Sequence, residues 1–260
     1  MNGRKFELKL TASVFVLPEE LGTGSGVIPM EFSAISGPLA DDLHRLMLRL
    51  LYLCFVLLLL ASCGGDRFES IRNIRSSGAS IICFGDSLTE GVGAGSGEEY
   101  PTVLSRQLAL PVINAGQRGD TTAQALGRIS QSVLNKNPRL VIVLLGGNDF
   151  LRQVPRQETR KNLAEIVRRI QDAGAMVVVA GLRLGFFTDE YSSVFEEVAR
   201  ESGALYVAQV LKGILNDAAL RSDPIHPNGA GYRLVAERIA EKITPLLREA
   251  DRLTGRPGAG

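Results

Sequence analysis

The chain has 260 residues, 45% of them hydrophobic and 22% charged, with a formal net charge of +1. These proportions are ordinary for a soluble globular protein with a sizeable core in one or two domains. The near-zero charge argues against a nucleic-acid-binding protein, which carries a basic surplus.

Residues 1–46 contain glycine-rich and acidic stretches but no amphipathic helix pattern. They are expected to be a spurious or disordered extension, with Met47 as the true start. Leu50 to Ala61 reads LLYLCFVLLLLA, an uncharged run shorter than the ~20 apolar residues of a membrane span. It has the size of the apolar region of a secretory signal, and Arg45 and Arg49 give it a basic flank. The run ends in Leu60-Ala61-Ser62-Cys63 before Gly64-Gly65-Asp66, which resembles a bacterial lipoprotein signal. That resemblance implies a signal peptide over 47–62 and a lipidated Cys63. It also implies a periplasm-facing location in the bacterial envelope, at the outer membrane in preference to the inner. Buried acyl methylenes, each worth ~0.8 kcal/mol, would hold such a protein on a bilayer. An uncleaved anchor or a buried helix are the alternatives. Of the three cysteines, Cys54 lies in the signal and Cys63 is the lipid candidate. Cys83 is expected in the core, so there is no disulfide framework.

Residues 63–70 read as a tether and 71–252 as one domain. Strands are expected at Ser80–Phe84, Pro111–Asn114, Leu140–Leu145, Met176–Ala180 and Ala204–Val207. The run LVIVLL at Leu140 is the mark of a central parallel strand covered on both faces. Helices are expected at Glu99–Leu108, Thr121–Asn135, Glu158–Ala173, Glu190–Ser202 and Asn228–Ala250. Leu163, Ile166, Val167 and Ile170 form one apolar stripe on the third of these. Residues 253–260 read as a flexible tail. Alternating strands and helices imply right-handed βαβ units, hence an α/β fold with a five-stranded parallel sheet covered by helices.

Ser87 lies on the turn after the first strand, which makes it a candidate nucleophile. The chain has two histidines. His44 precedes the proposed signal, so a serine–histidine mechanism must use His226. The latter sits in Asp223-Pro224-Ile225-His226-Pro227, a loop stiffened by two prolines with an acid three positions earlier. Two further unusual turns, at Gly116–Asp120 and Gly146–Asp149, fall at the carboxyl ends of strands, where open α/β sheets bind ligands.

Gly85-Asp86-Ser87-Leu88, Gly119-Asp120, Gly147-Asn148-Asp149 and Asp223-Pro224-Ile225-His226 together resemble the ordered blocks of the SGNH (GDSL) hydrolases. Gly119-Asp120-Thr121-Thr122 and Gly146-Gly147-Asn148-Asp149 are most similar to the bacterial thioesterase I / lysophospholipase L1 / arylesterase branch. The resemblance implies a three-layer α/β/α, flavodoxin-like fold. It implies Ser87 as nucleophile, His226 as base and Asp223 as the acid that orients it. The amides of Ser87 and Gly119 and the side chain of Asn148 become the oxyanion hole. Asp86, Asp120 and Asp149 read as supports that brace their turns. Phe150, Leu151, Leu184, Phe186 and Phe187 are candidates for an acyl groove, or for core packing.

The chemistry of these residue types agrees. An imidazole titrating near neutrality takes the serine proton and returns it to the leaving group. A carboxylate fixes its tautomer. The expected reaction is hydrolysis of an acyl ester or thioester, such as a lysophospholipid, acyl thioester or aryl ester, without cofactor or metal. Carbohydrate or cell-wall deacetylation is the alternative substrate class, and an inactive envelope-anchored binding protein the alternative of another class. The G-x-S-x-G elbow is absent. The glycine-rich run Gly91–Gly97 begins too far beyond the strand for a dinucleotide loop. The Cys and His count is too low for a zinc site.

Overall fold

The computed structural model describes residues 45–52, 68–183 and 189–256. The chain divides into two units, Met1–Cys63 and Gly64–Gly260. In the first, residues 45–52 are helical, with Leu46, Leu50, Leu51 and Tyr52 exposed. Cys54, Cys63 and His44 lie outside the described residues. No helix among the described residues is long and apolar enough to cross a membrane.

The second unit is built on five parallel strands: β1 (Ser80–Gly85), β2 (Val112–Gly116), β3 (Pro138–Leu144), β4 (Met176–Ala180) and β5 (Leu205–Val207). Their order is β2-β1-β3-β4-β5. Every residue of β3 and β4 is buried, as expected of strands built on the continuous apolar runs Leu140–Leu144 and Met176–Ala180. The helices are α1 (Ser87–Glu90), α2 (Tyr100–Leu108), α3 (Thr122–Ser132), α4 (Gly147–Leu151), α5 (Arg156–Asp172), α6 (Asp189–Ser202) and α7 (Gly229–Thr254). Helix α2 packs on α7, while α5 packs on both α3 and α6. These groups form the outer layers of a three-layer α/β/α fold.

The chain order reverses between β1 and β3, whose carboxyl ends therefore form the crevice of a doubly wound sheet. Gly85 is level with Gly116 on one side and Leu144 on the other. The segments that leave these three strands emerge next to one another. Gly85 has no room for a side chain, since a Cβ there would lie 2.0 Å from Thr89 Oγ1 and 2.5 Å from the Leu144 carbonyl oxygen.

Four departures from the sequence expectation have local causes. Helices α1 and α4 are single-turn pieces with no apolar periodicity to announce them. Asp86 caps the first through the Leu88 amide. The second starts after Gly146 at φ 106°, a left-handed conformation that favours glycine. Helix α3 stops at Ser132 rather than Asn135, and Leu134–Lys136 forms a 3₁₀ turn before Asn137 at φ 50° and Pro138. The folded unit is also wider than 71–252. Phe68 is buried, and α7 runs to Thr254, ending on Gly255 in the left-handed region. Arg256 donates to the Ser77 and Gly78 carbonyls, so residues 253–256 are ordered helix end rather than loose tail.

Candidate active site

Strand β1 delivers Ser87 to the first position of α1, on the carboxyl edge of the sheet. Its Oγ lies 3.0 Å from His226 Nε2. The other ring nitrogen, Nδ1, lies 2.7 Å from Asp223 Oδ2. The second oxygen of Asp223 accepts the amides of Ile225 at 2.8 Å and His226 at 2.9 Å. One carboxylate therefore shapes its own loop and orients the imidazole at once. Burial pushes the Asp223 carboxyl up. The Ile225 amide, the imidazole and the His226 amide outweigh it and hold it below the usual carboxylate range. The ionised acid keeps the proton on Nδ1 and leaves Nε2 as an acceptor facing the serine hydroxyl.

The loop is fixed from both ends. Ser222 N–H donates to the His226 carbonyl at 3.0 Å. Asn228 caps α7 by accepting from the Gly231 amide, and its own amide donates to the Ala219 carbonyl. Tyr232 on α7 donates to the Val92 carbonyl at 2.9 Å, which ties the base-bearing loop to the segment following Ser87.

Gly119 sits at φ +81°, a backbone conformation that favours glycine, and a Cβ there would lie 3.6 Å from Arg152 Nη2. Among the described residues neither its amide nor that of Ser87 donates to a protein acceptor. Asn148, on α4, turns its side-chain amide to the Asp120 carbonyl at 3.0 Å and to Asp86 Oδ2 at 3.3 Å. The amide is thereby linked to both the Ser87 turn and the Gly119 loop.

The three acids next to these groups are all buried. Asp149 accepts the Thr122 amide at 2.8 Å and the Thr122 hydroxyl at 2.5 Å, with Thr159 at 3.4 Å. It thus fastens α4 to α3 and α5. Asp120 pairs with Arg128. Asp86 pairs with no cation among the described residues, and burial foremost, together with the charges of Asp120 and Asp149, pushes it up to about 7 against the pull of the Leu88 amide. Cys83 is fully buried in β1, where burial pushes its thiol up to about 12. It is an unreactive core residue.

A cleft of about 600 Å³ opens beside the serine, lined by Ser87, Asn148 and His226. Leu88, Phe150, Leu151, Leu211, Leu215 and Ile225 form its apolar surface. Arg183, Lys212 and Arg221 line it as well. Gly119 does not line this cleft, and it connects to it through the Asp120–Asn148 bond. Leu184, Phe186 and Phe187 lie outside the described residues. The wall formed by Leu211 and Leu215 was not foreseen, although Val210, Leu211, Ile214 and Leu215 have a one-sided apolar spacing. Among the described residues no cluster of three or more His, Cys, Asp or Glu could hold a metal ion.

Residues 83–234 match the model of the GDSL-like lipase/acylhydrolase family. The thioesterase 1/protease 1/lysophospholipase L1 of Escherichia coli K12 is 28% identical over 189 residues, spanning 69% of this chain and 91% of that protein. Esterase TesA of Pseudomonas aeruginosa is 27% identical over 184 residues, spanning 66% and 92%. Among solved structures, the esterase EstA from Pseudoalteromonas, inhibited by monoethylphosphonate, superposes with a TM-score of 0.60 at 25% identity. That match covers 65% of this chain and 98% of EstA.

Proposed function

Because the chain belongs to the GDSL-like lipase/acylhydrolase family and is an ester-hydrolysing enzyme, we propose that its turnover runs through an acyl group carried on Ser87. In the first half-reaction Ser87 Oγ attacks the acyl carbon and its proton passes to His226 Nε2. The carbonyl oxygen, now negative, sits among the amides of Ser87 and Gly119 and the side chain of Asn148. Collapse breaks the bond to the alcohol or thiol, which leaves with the proton from His226. In the second half-reaction water takes the place of the serine and releases the carboxylic acid. Asp223, ionised throughout, stabilises the imidazolium at each stage. Asp86, Asp120 and Asp149 act as supports. The observation that carries this reading is the unbroken relay of 3.0 and 2.7 Å from serine to histidine to aspartate.

A fluorophosphonate probe tests it, and the phosphonate inhibition of EstA makes that probe apt. Labelling should add mass at Ser87 and disappear in Ser87→Ala. Absence of labelling in folded wild type would favour an inactive binding protein.

The cleft favours one substrate class. Its apolar surface suits an acyl chain longer than acetyl, while Arg183, Lys212 and Arg221 suit an anionic leaving group. Lysophospholipids and acyl thioesters with a phosphate-bearing thiol combine both features. An O-acetylated sugar has neither. The name of the E. coli relative, thioesterase and lysophospholipase, agrees. Matched long-chain esters with anionic and neutral leaving groups separate the classes. The anionic ester should be preferred at low salt, and Lys212→Glu/Arg221→Glu should reverse that preference. A stronger rate on acetylated sugar would instead support the deacetylase reading.

We also propose envelope anchoring through a lipidated Cys63, supported by the apolar run before it and the Leu60–Cys63 sequence. Mass spectrometry of the mature N-terminus decides: a lipidated Cys63 supports the anchor, and an unmodified one in exported protein removes it.

A further inference from the structure

Arg128 projects from the middle of α3 to the carboxyl edge of the sheet. Its Nε donates to Asp120 Oδ2 at 2.5 Å, and one terminal nitrogen donates to the Gly85 carbonyl at 2.9 Å. The other terminal nitrogen donates to the Ala115 carbonyl and the Ser132 hydroxyl, each at 3.0 Å. The guanidinium lies 4.6 Å from the centroid of the Phe84 ring. These partners belong to the end of β1, the end of β2 and the loop that carries Gly119. Gly85 immediately precedes the Asp86-Ser87 turn. The Asp120 carbonyl in turn accepts the Asn148 amide.

We propose that Arg128 is a positioning residue that fixes the Ser87 turn and the Gly119 and Asn148 donors relative to one another. This inference rests on the oxyanion-hole reading above. Its physical basis is the fork of the guanidinium. One rigid planar group with five donors can bind three carbonyl or carboxylate oxygens in fixed directions, which a lysine ammonium cannot do. An oxyanion hole works only if its donors are placed before the charge develops, and small displacements cost large factors in rate. The two free amides are on separate segments, and the direct backbone bond between those segments runs from Gln117 N–H to the same Gly85 carbonyl. Arg128 donates to that carbonyl as well and adds the link to Asp120.

The test is a double-mutant cycle on a short soluble ester. Arg128→Met should lower kcat by about 30- to 100-fold with KM within about 3-fold, because it disturbs donors used chiefly in the transition state. Arg128→Lys should recover only part of that loss. In an Asn148→Ala background, Arg128→Met should cost at least about 3-fold less than it does in wild type, since one of the donors it positions is already gone. Asp251→Asn, which breaks the buried Arg139–Asp251 pair at the other end of the sheet, serves as the destabilising control away from the site and should keep kcat per folded molecule. Two results overturn the proposal: losses that multiply across the cycle, or an Arg128→Met kcat no lower than that of Asp251→Asn. If Arg128→Met fails to fold, the same cycle is read with Arg128→Lys. Failure of the underlying active-site reading would appear separately, as absence of Ser87 labelling in wild type.

Discussion

Two arginine–aspartate pairs sit at opposite ends of the same sheet, one with a half-buried arginine and one buried on both sides. At the carboxyl end, Arg128 and Asp120 are 17% and 5% exposed; at the amino end, Arg139 and Asp251 are 7% and 5% exposed. The two aspartates are equally buried and Arg139 is more buried than Arg128, but the larger difference lies in their surroundings. Arg128 spends its donors on the three segments that converge at the active site. Arg139, near the start of β3, holds the last turns of α7 through Asp251, and its Nε has no partner among the described residues. Taking a charge pair out of water costs several kcal/mol, so burial alone says nothing about use. The difference in partners says that one end of the sheet is organised for chemistry and the other for holding a helix in place.

The largest effect belongs to the carboxyl end. Ser87→Ala should lower ester turnover by about 10⁴-fold or more, with an unchanged unfolding midpoint. A variant that keeps a tenth of the activity would move the nucleophile elsewhere. At the amino end, Asp251→Ala should destabilise the protein by about 3–5 kcal/mol, because it strands the Arg139 charge. The unfolding midpoint should fall on the order of 10 °C, with specific activity at low temperature intact. A small midpoint change would show that water reaches Arg139. Asn148→Ala should reduce kcat by about 10²–10³ at little cost in stability. An effect confined to KM would contradict a transition-state role.

The most gradual effect is one of pH. Asp86, pushed up to about 7 in the folded protein, titrates near 3.9 in an unfolded chain. The folded state therefore binds the proton more tightly over that interval. Its contribution to stability is greatest below about pH 4, falls through pH 4 to 7, and is level above 7, with a slope of at most ~1.4 kcal/mol per pH unit. Asp86→Asn keeps an oxygen for the Leu88 amide and removes the titration. Denaturant unfolding at several pH values should show the variant gaining on wild type as pH rises from 4 to 7. Parallel curves would place Asp86 in a more polar setting. Asp223 has the opposite sign. Its lowered value adds stability that is present above about pH 4 and lost as pH falls through its folded value.

The contrast also explains what the sequence could and could not disclose. Strand β4 was read residue for residue, and β1 and β3 within two residues at either end, because buried parallel strands are written as continuous apolar runs. The residues of the proposed relay were readable for another reason: a serine at a turn and a histidine between prolines are local signals. Asn148 was named from its block, but α4, on which it rides, is too short to have a period. Arg128 was invisible. Two of its partners are backbone carbonyls and three of its bonds go to segments brought together only by the strand order. Asp251 and Arg139 were silent likewise, being ordinary charged letters until β3 and α7 meet. Local chemistry is thus legible in the chain, while the supports that aim it belong to the fold.

The central claim is that Ser87 carries the acyl group between two half-reactions relayed by His226 and Asp223. Rapid acid quenching of the enzyme during turnover of a long-chain p-nitrophenyl ester, followed by peptide mass spectrometry, tests it most directly. The account predicts one acyl group on the peptide containing Ser87, absent from Ser87→Ala, with a burst of p-nitrophenol matching the enzyme concentration. Turnover at the full rate with no acylated peptide in the quenched enzyme, or with the acyl group on another residue, would contradict it.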